Sequence, residues 1–267
     1  MPDTLLNGIE VYYETSGHGA PLLFLNGSGS TIADVRPLVA LFARNFRVAV
    51  ADYRGMGRTS VPEVPYSMAD LASDAIGLAD HLEWSAFNLL GVSFGGMVAQ
   101  ELAVTAPGRI RRLALVCTSS GGAGGSSYPL QDLVHLTPER RAEVSAHLLD
   151  SRFTPQWLAT RAKDRAILEQ AAQRRNQPLT VAAQRGAELQ LLARASHDVF
   201  DRLPGVASPT LVASGRFDGI APPKNGAAIA EQIPGAELRV YDGGHLFFQQ
   251  DPAAIPDIVD FLGTDVR

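Results

Sequence analysis

The sequence predicts an α/β fold: a mostly parallel central sheet flanked by helices, with one inserted helical block. Two observations predict it. Through residues 1–120, short apolar runs of strand length alternate with helix-like segments joined by short loops, the pattern of βαβ units covered on both faces. From residue 121 to about residue 200 the alternation stops, the composition turns helical and no strand pattern occurs; it resumes at residue 209. Residues 1–120 and 201–267 are therefore expected to form the sheet-containing core, and residues 121–200 a helical cap subdomain. With 267 residues, 46 % of them hydrophobic, the chain is long enough to bury one large core and carry such an insertion.

The elements follow in order. Residues 9–15 (IEVYYET) alternate and are rich in β-formers; with residues 3–6 they predict a hairpin around Asn7-Gly8. Residues 21–25 (PLLFL) are wholly apolar, as in a strand buried on both faces, and end in Asn26-Gly27-Ser28-Gly29-Ser30. Residues 32–43 read as a helix. Phe46–Ala51 is the next strand and runs into Asp52-Tyr53-Arg54-Gly55-Met56-Gly57-Arg58. Ser67, with Asp70 three residues on, is a variant capping box, and Leu71, Ala75, Leu78 and Leu82 form the apolar stripe of the helix it opens. Phe87–Val92 is a strand and MVAQELAVTA a helix with Val98 and Leu102 on one face.

Residues 110–117 (IRRLALVC) form a further strand. Its Cys117, the one cysteine of the chain, can form no internal disulfide and reads as a small buried core residue. Residues 119–127 (SSGGAGGSS) read as a flexible hinge; no lysine follows the glycines, so this is no phosphate loop. The helical stretch from Tyr128 to about Phe200 has Pro138 and Pro155 near expected helix starts. Residues 209–213 (PTLVA) are a strand, 224–232 a helix, Glu237–Tyr241 a strand and 253–262 a closing helix. The order of the strands within the sheet cannot be read from these signals.

Composition excludes several classes. A net charge of −5 and a pI near 5.7 offer no nucleic-acid or anionic-membrane surface. The longest basic cluster, Arg109, Arg111 and Arg112, is placed at the end of a helix, where it meets the helix dipole. The apolar runs are short and interrupted, and MPDTLLNGIEVYY has neither a basic nor an apolar leader region, so a soluble cytoplasmic protein is expected. The six histidines are scattered and no H-E-x-x-H occurs, which argues against a metal site. Gly27-Ser28-Gly29 is followed by Ser30, Thr31 and Ile32, so the third glycine of a dinucleotide fingerprint is missing. No cofactor is expected, and the partner is a small-molecule substrate; monomer and homodimer remain open.

The chemistry centres on Gly91-Val92-Ser93-Phe94-Gly95. A sharp strand-to-helix turn strains its central residue and leaves no room for side chains two positions either side, so glycine is required there. Taken alone, the pattern also fits a tight turn that happens to contain serine. A serine nucleophile needs a base, and the base an orienting carboxylate. Asp218 follows PTLVA, and His245 follows ELRVY. Loops after parallel strands emerge at one sheet edge, so Ser93, Asp218 and His245 are expected to share a rim, in the order Ser, Asp, His. Asp242 is the competing acid, three residues before His245 in the same loop. The oxyanion hole is assigned to the N–H groups of Phe94, at a helix N-terminus, and Ser28, with Gly27 as the alternative. His197-Asp198 could face the pocket or tether a helix, and Phe153, Trp157 and Leu158 could be cap core or pocket wall.

The segments LFLNGSGS, DYRGMGRTS, GVSFGG, PTLVASGRFDGIAPP and DGGHLFF resemble, over nearly the whole length, the serine hydrolases of the α/β-hydrolase fold. Among the branches of that family the chain is similar to small cytoplasmic esterases, enol-lactonases of aromatic catabolism and cofactor-free haloperoxidases. The resemblance implies hydrolysis of a small carboxylic ester or lactone, without cofactor, by Ser93, His245 and Asp218. It implies a structural role for the DxRGxGxS segment, residues 52–60. There are two departures. Asn26-Gly27 stands where many members carry His-Gly, and Phe94 where Met, Gln or Leu is frequent. Phe94 is expected to put an aromatic wall at the nucleophile. Ser93 itself disfavours the aspartate-nucleophile relatives. Two alternatives remain. One is carbon–carbon bond hydrolysis of a ring-cleavage product, needing a cation such as Arg54, Arg140 or Arg141; the other is a ligand receptor on the same fold.

Overall fold

The computed structural model describes residues 3–175 and 177–264; the outermost residues of the expected core, and residue 176 of the expected cap, lie outside the described residues. The chain opens with a hairpin of β1 (Asp3–Leu6) and β2 (Ile9–Ser16), turned at Asn7 (φ 46°) and Gly8 (φ 81°) as the Asn-Gly pair predicts. There follow β3 (Ala20–Leu25), α1 (Ile32–Phe42), β4 (Phe46–Ala51), α2 (Met68–His81), β5 (Phe87–Val92), α3 (Phe94–Thr105) and β6 (Ile110–Val116). Helices α4 (Pro138–Leu149), α5 (Pro155–Ala159), α6 (Ala162–Arg175) and α7 (Val181–Ala195) come next, with no strand among the described residues between β6 and β7 (Thr210–Gly215). The chain ends through α8 (Pro223–Gln232), β8 (Glu237–Tyr241), α9 (Phe247–Gln250) and α10 (Ala254–Gly263).

The eight strands form one sheet in the order β1-β2-β4-β3-β5-β6-β7-β8. β2 pairs antiparallel with β1 and β4, and every other neighbouring pair is parallel. The wholly apolar runs occupy the middle, where strands are covered on both faces. Side chains alternate between the two layers: Leu23 and Leu25 of β3 join α2 and α3, whereas Leu22 and Phe24 join α1 and α10. The N-terminus of α2 is closed by the expected box, with Ser67 N–H donating to Asp70 Oδ2 (2.7 Å) and Asp70 N–H to Ser67 Oγ (3.2 Å). No helix among the described residues is long and apolar enough to cross a membrane.

Two expectations change. The glycine-rich segment after β6 is a packed crossing rather than a hinge. Ser119 and Ser120 are fully buried, Val199 N–H donates to Ser120 O (2.9 Å), and a Cβ on Gly121 would overlap the His197 carbonyl. These glycines let the outgoing and returning chains pass in contact. The basic cluster does not meet a helix end together either. Arg109 reaches Asp80 (2.7 Å) and the carbonyls of Trp84 and Ser85 (both 2.8 Å), while Arg111 and Arg112 lie in β6.

Candidate active site

β5 delivers the chain to Ser93, whose φ of 55° lies where L side chains are rarely found. A Cβ at Gly91 would overlap the Gly95 carbonyl, and one at Gly95 the Leu25 carbonyl. Both glycines are thus steric requirements of the turn. Ser93 N–H donates to Val116 O (2.8 Å), and its own carbonyl accepts from Gly96 N–H (2.9 Å) and the Thr118 hydroxyl (2.8 Å). Neighbours on β6, on α3 and in the loop after β6 hold the strained residue in place.

The loops after β7 and β8 meet Ser93 at the carboxyl edge. His245 Nε2 lies 3.0 Å from Ser93 Oγ, and its Nδ1 lies 2.8 Å from Asp218 Oδ2. A carboxylate can only accept, so in the neutral, catalytically active imidazole Nδ1 carries the proton and Nε2 accepts from the serine hydroxyl. The other Asp218 oxygen accepts from Ile220 N–H (2.8 Å) and Ala221 N–H (2.9 Å), which fixes the carboxylate plane. Burial alone would push His245 toward its neutral form. The Asp218 carboxylate outweighs burial and holds the imidazole well above the usual histidine range. Cys117 is buried as expected, but its positive φ of 44° was not legible in an apolar run. Asp242 points elsewhere: its side chain is 73 % exposed and pairs with Arg152 (2.9 Å).

The loop after β3 faces the serine. Asn26 Nδ2 donates to Ser30 O (3.1 Å), Tyr53 Oη to Asn26 O (3.1 Å), and Gly29 N–H to Gln190 Oε1 of α7 (2.7 Å). Asparagine thus closes this loop through its own side chain. The N–H groups of Ser28 and Phe94 have no acceptor among the described residues, which leaves both able to donate to a ligand. The expected aromatic wall is absent. The Phe94 ring is fully buried in the core, edge-on to Tyr53 with ring centres 5.4 Å apart, because the first turn of α3 directs it inward. The DxRGxGxS segment is structural: Asp52 accepts from Ile32 N–H (2.7 Å) and Arg58 N–H (2.9 Å), and Arg54 forks onto Asp74 (2.7 Å for both bonds).

A cavity of about 740 Å³ opens above Ser93 and His245. Helices α1, α4, α6 and α7 supply half of its wall, and the cavity is largely apolar, through Leu38, Leu148, Leu149 and Leu191 of these helices and Leu133 before α4. Its polar wall includes Gln190, Arg174 and Arg175, none of which carries a local sequence signal, since lining depends on how the helices dock. Arg54, Arg140 and Arg141 do not line it. Nor do His197 and Asp198: His197 is packed against the Gly121 crossing, and burial pushes its pKa down to about 4. Phe153 is buried and Trp157 bonds Asp164 (2.8 Å), so neither forms pocket wall. Among the described residues no three His, Cys, Asp or Glu side chains cluster to hold a metal.

The fold that carries this site has counterparts. Residues 20–252 match the family model of the alpha/beta hydrolase fold. The chain belongs to that family. It is 30 % identical to a poly(3-hydroxyalkanoate) depolymerase from Ectopseudomonas oleovorans, covering 92 % of this chain and 85 % of that protein. It is 28 % identical to a 2-hydroxymuconate semialdehyde hydrolase from a Pseudomonas strain, covering 96 % and 91 % of the two chains. Among solved structures, the enol-lactonase from Burkholderia xenovorans superposes with a TM-score of 0.79 at 26 % identity, covering 98 % of this chain and all of that one. The chain is a hydrolase of this family.

Proposed function

We propose that this chain hydrolyses a small carboxylic ester or lactone through an acyl-enzyme on Ser93. The reading rests on one observation: a continuous relay from Ser93 Oγ through His245 to Asp218, at 3.0 and 2.8 Å, at the floor of a largely apolar cavity. Ser93 Oγ attacks the carbonyl carbon while His245 Nε2 takes its proton. The tetrahedral oxyanion is held by the N–H groups of Phe94 and Ser28, each such donor typically contributing about 3 kcal/mol. The imidazolium, stabilised by Asp218, returns the proton to the leaving alkoxide. Water, deprotonated by His245, then cleaves the acyl-enzyme. Helices α4–α7 act as the cap that shapes the acyl site.

The test is hydrolysis of p-nitrophenyl acetate, butyrate and octanoate without added metal or cofactor. Steady multiple turnover is expected, with kcat/KM rising from acetate to butyrate. Each methylene moved from water onto the apolar wall contributes about 0.8 kcal/mol, close to fourfold in kcat/KM. A single stoichiometric burst would mean that the acyl-enzyme is not turned over, as in a receptor. A preference for acetate would exclude the cavity as acyl site.

A second reading, carbon–carbon hydrolysis of a carboxylate-bearing ring-cleavage product, is favoured by Arg174 and Arg175 in the cavity wall. Arg174 lies 3.9 Å from Asp34, too far for a direct hydrogen bond. Partial desolvation at the cavity wall, and then the neighbouring Arg141 charge, disfavours the charged form of Arg175, a cost that a bound carboxylate would relieve. Under this reading Arg175→Ala raises KM for an acidic substrate and leaves that for a neutral ester unchanged. Equal effects on both substrates would remove the case for it.

A further inference from the structure

The chain leaving α4 passes between the two loops that carry Asp218 and His245. His245 N–H donates to Leu149 O (2.6 Å), Gly219 N–H to Leu148 O (3.1 Å), and Ser151 N–H to Phe217 O (2.9 Å). One buried polar cluster anchors this segment. The Asp150 side chain has no exposed surface. Its Oδ1 accepts from Arg152 N–H and Nε (both 2.9 Å), and its Oδ2 from Arg152 Nη2 (2.7 Å) and Gln250 Nε2 (2.9 Å). Arg152 then reaches outward to both loops. Its Nη1 donates to Asp242 Oδ1 (2.9 Å), and its guanidinium carbon lies 3.9 Å from the Phe217 ring centre, with Trp157 at 4.7 Å. Gln250 Oε1 accepts from Gly244 N–H (2.8 Å).

We infer that Arg152, fixed by Asp150, is a positioning residue for the His245–Asp218 pair. It touches Phe217, the residue before Asp218, and Asp242, at the start of the loop that carries His245. Asp150 and Gln250 complete the frame at Gly244, the residue before His245. A catalytic hydrogen bond works only over roughly 2.6–3.2 Å, so a sub-ångström drift between these loops would uncouple acid from base. A planar fork stacked on an aromatic ring resists that drift better than an ammonium does, because it is held at several points at once. Asp242, the acid nearest His245 in sequence, becomes the anchor for Arg152. The inference rests on the reading of Ser93, His245 and Asp218 as the catalytic relay.

The test compares wild type with Arg152→Met, which keeps the apolar stem between Phe217 and Trp157 and removes the fork, and with Arg152→Lys. Three quantities are read on folded protein: kcat and KM, the rate at which an organophosphonate labels Ser93, and the low-field proton NMR signal of His245 Nδ1–H. In Arg152→Met, kcat and the labelling rate are expected to fall together by about ten- to a hundredfold, the cost of a small misplacement. KM should change little, and the NMR signal should broaden or vanish. Arg152→Lys should fall between wild type and Arg152→Met. Should Arg152→Met not fold, Gln250→Leu cuts the same frame at Gly244 and is expected to act in the same direction. A folded variant with lower Tm but unchanged kcat, labelling and NMR signal would overturn the inference and make the cluster purely structural. If wild type neither turns over nor labels, the proposed hydrolysis fails; the NMR comparison still decides whether Arg152 positions the imidazole.

Discussion

Ser93→Ala is expected to lower kcat by about a millionfold, the loss typical of removing a serine nucleophile from a working relay. The fold should be unchanged by circular dichroism and Tm. Alanine keeps a Cβ at the φ of 55° that serine already occupies, and loses only the Oγ that faces His245. The bonds fixing the turn run through the main chain to Val116 and Gly96 and from the Thr118 hydroxyl, none through Oγ. Ser93→Gly separates strain from chemistry. It should be equally inactive yet more stable, because glycine adopts that φ without the cost of roughly 1–3 kcal/mol carried by other residues. Ester hydrolysis by Ser93→Ala near the wild-type rate would remove serine from the chemistry altogether.

How much of this was legible in the sequence depended on whether a requirement was local. The elbow is written mostly locally: the Gly95 carbonyl, four residues on, leaves no space for a Cβ at Gly91, and the adjoining strand β3 leaves none at Gly95, so glycine appears at fixed offsets from Ser93. Strands β3, β5 and β7 are covered on both faces, so they appear as largely apolar runs; Ser93 follows β5 and Asp218 follows β7, while His245 lies in the loop after the edge strand β8. What depends on distant partners was not written. The order β1-β2-β4-β3 is a choice among strand pairings that no single strand records. Phe94 turns inward onto Tyr53, forty-one positions earlier, a partner its own segment does not announce. The glycines near Gly121 read as freedom and serve contact, since the same absence of a side chain permits both. The cavity wall was least legible. Gln190 is buried because α7 docks against Gly29, and nothing in the composition of α7 marks that face.

Asp218→Asn is expected to lower kcat by about ten-thousandfold, and Asp242→Asn by no more than a few-fold. The geometry explains the difference. Asp218 Oδ1 accepts two main-chain N–H bonds, from Ile220 and Ala221, so an asparagine there keeps its oxygen in that position and turns its amide nitrogen toward His245 Nδ1. The imidazole must then accept at Nδ1 and carry its proton on Nε2, where it cannot take the proton of Ser93. Asp242→Asn leaves an amide oxygen for Arg152 Nη1 at an exposed site, so little is lost. The pH profile gives a second, independent readout. Neutral His245 is the active base, so kcat/KM rises as pH climbs through its pKa. That pKa is raised because the Asp218 carboxylate outweighs burial, which places the wild-type limb on the alkaline side of the ordinary histidine value of about 6.5. Without the carboxylate, burial prevails and the limb moves to lower pH, while its plateau drops with kcat. Asp242→Asn should leave the limb where it is. If Asp242→Asn instead caused the larger loss and shifted the limb, the orienting carboxylate would be Asp242, and the distance between His245 and Asp218 would carry no catalytic meaning.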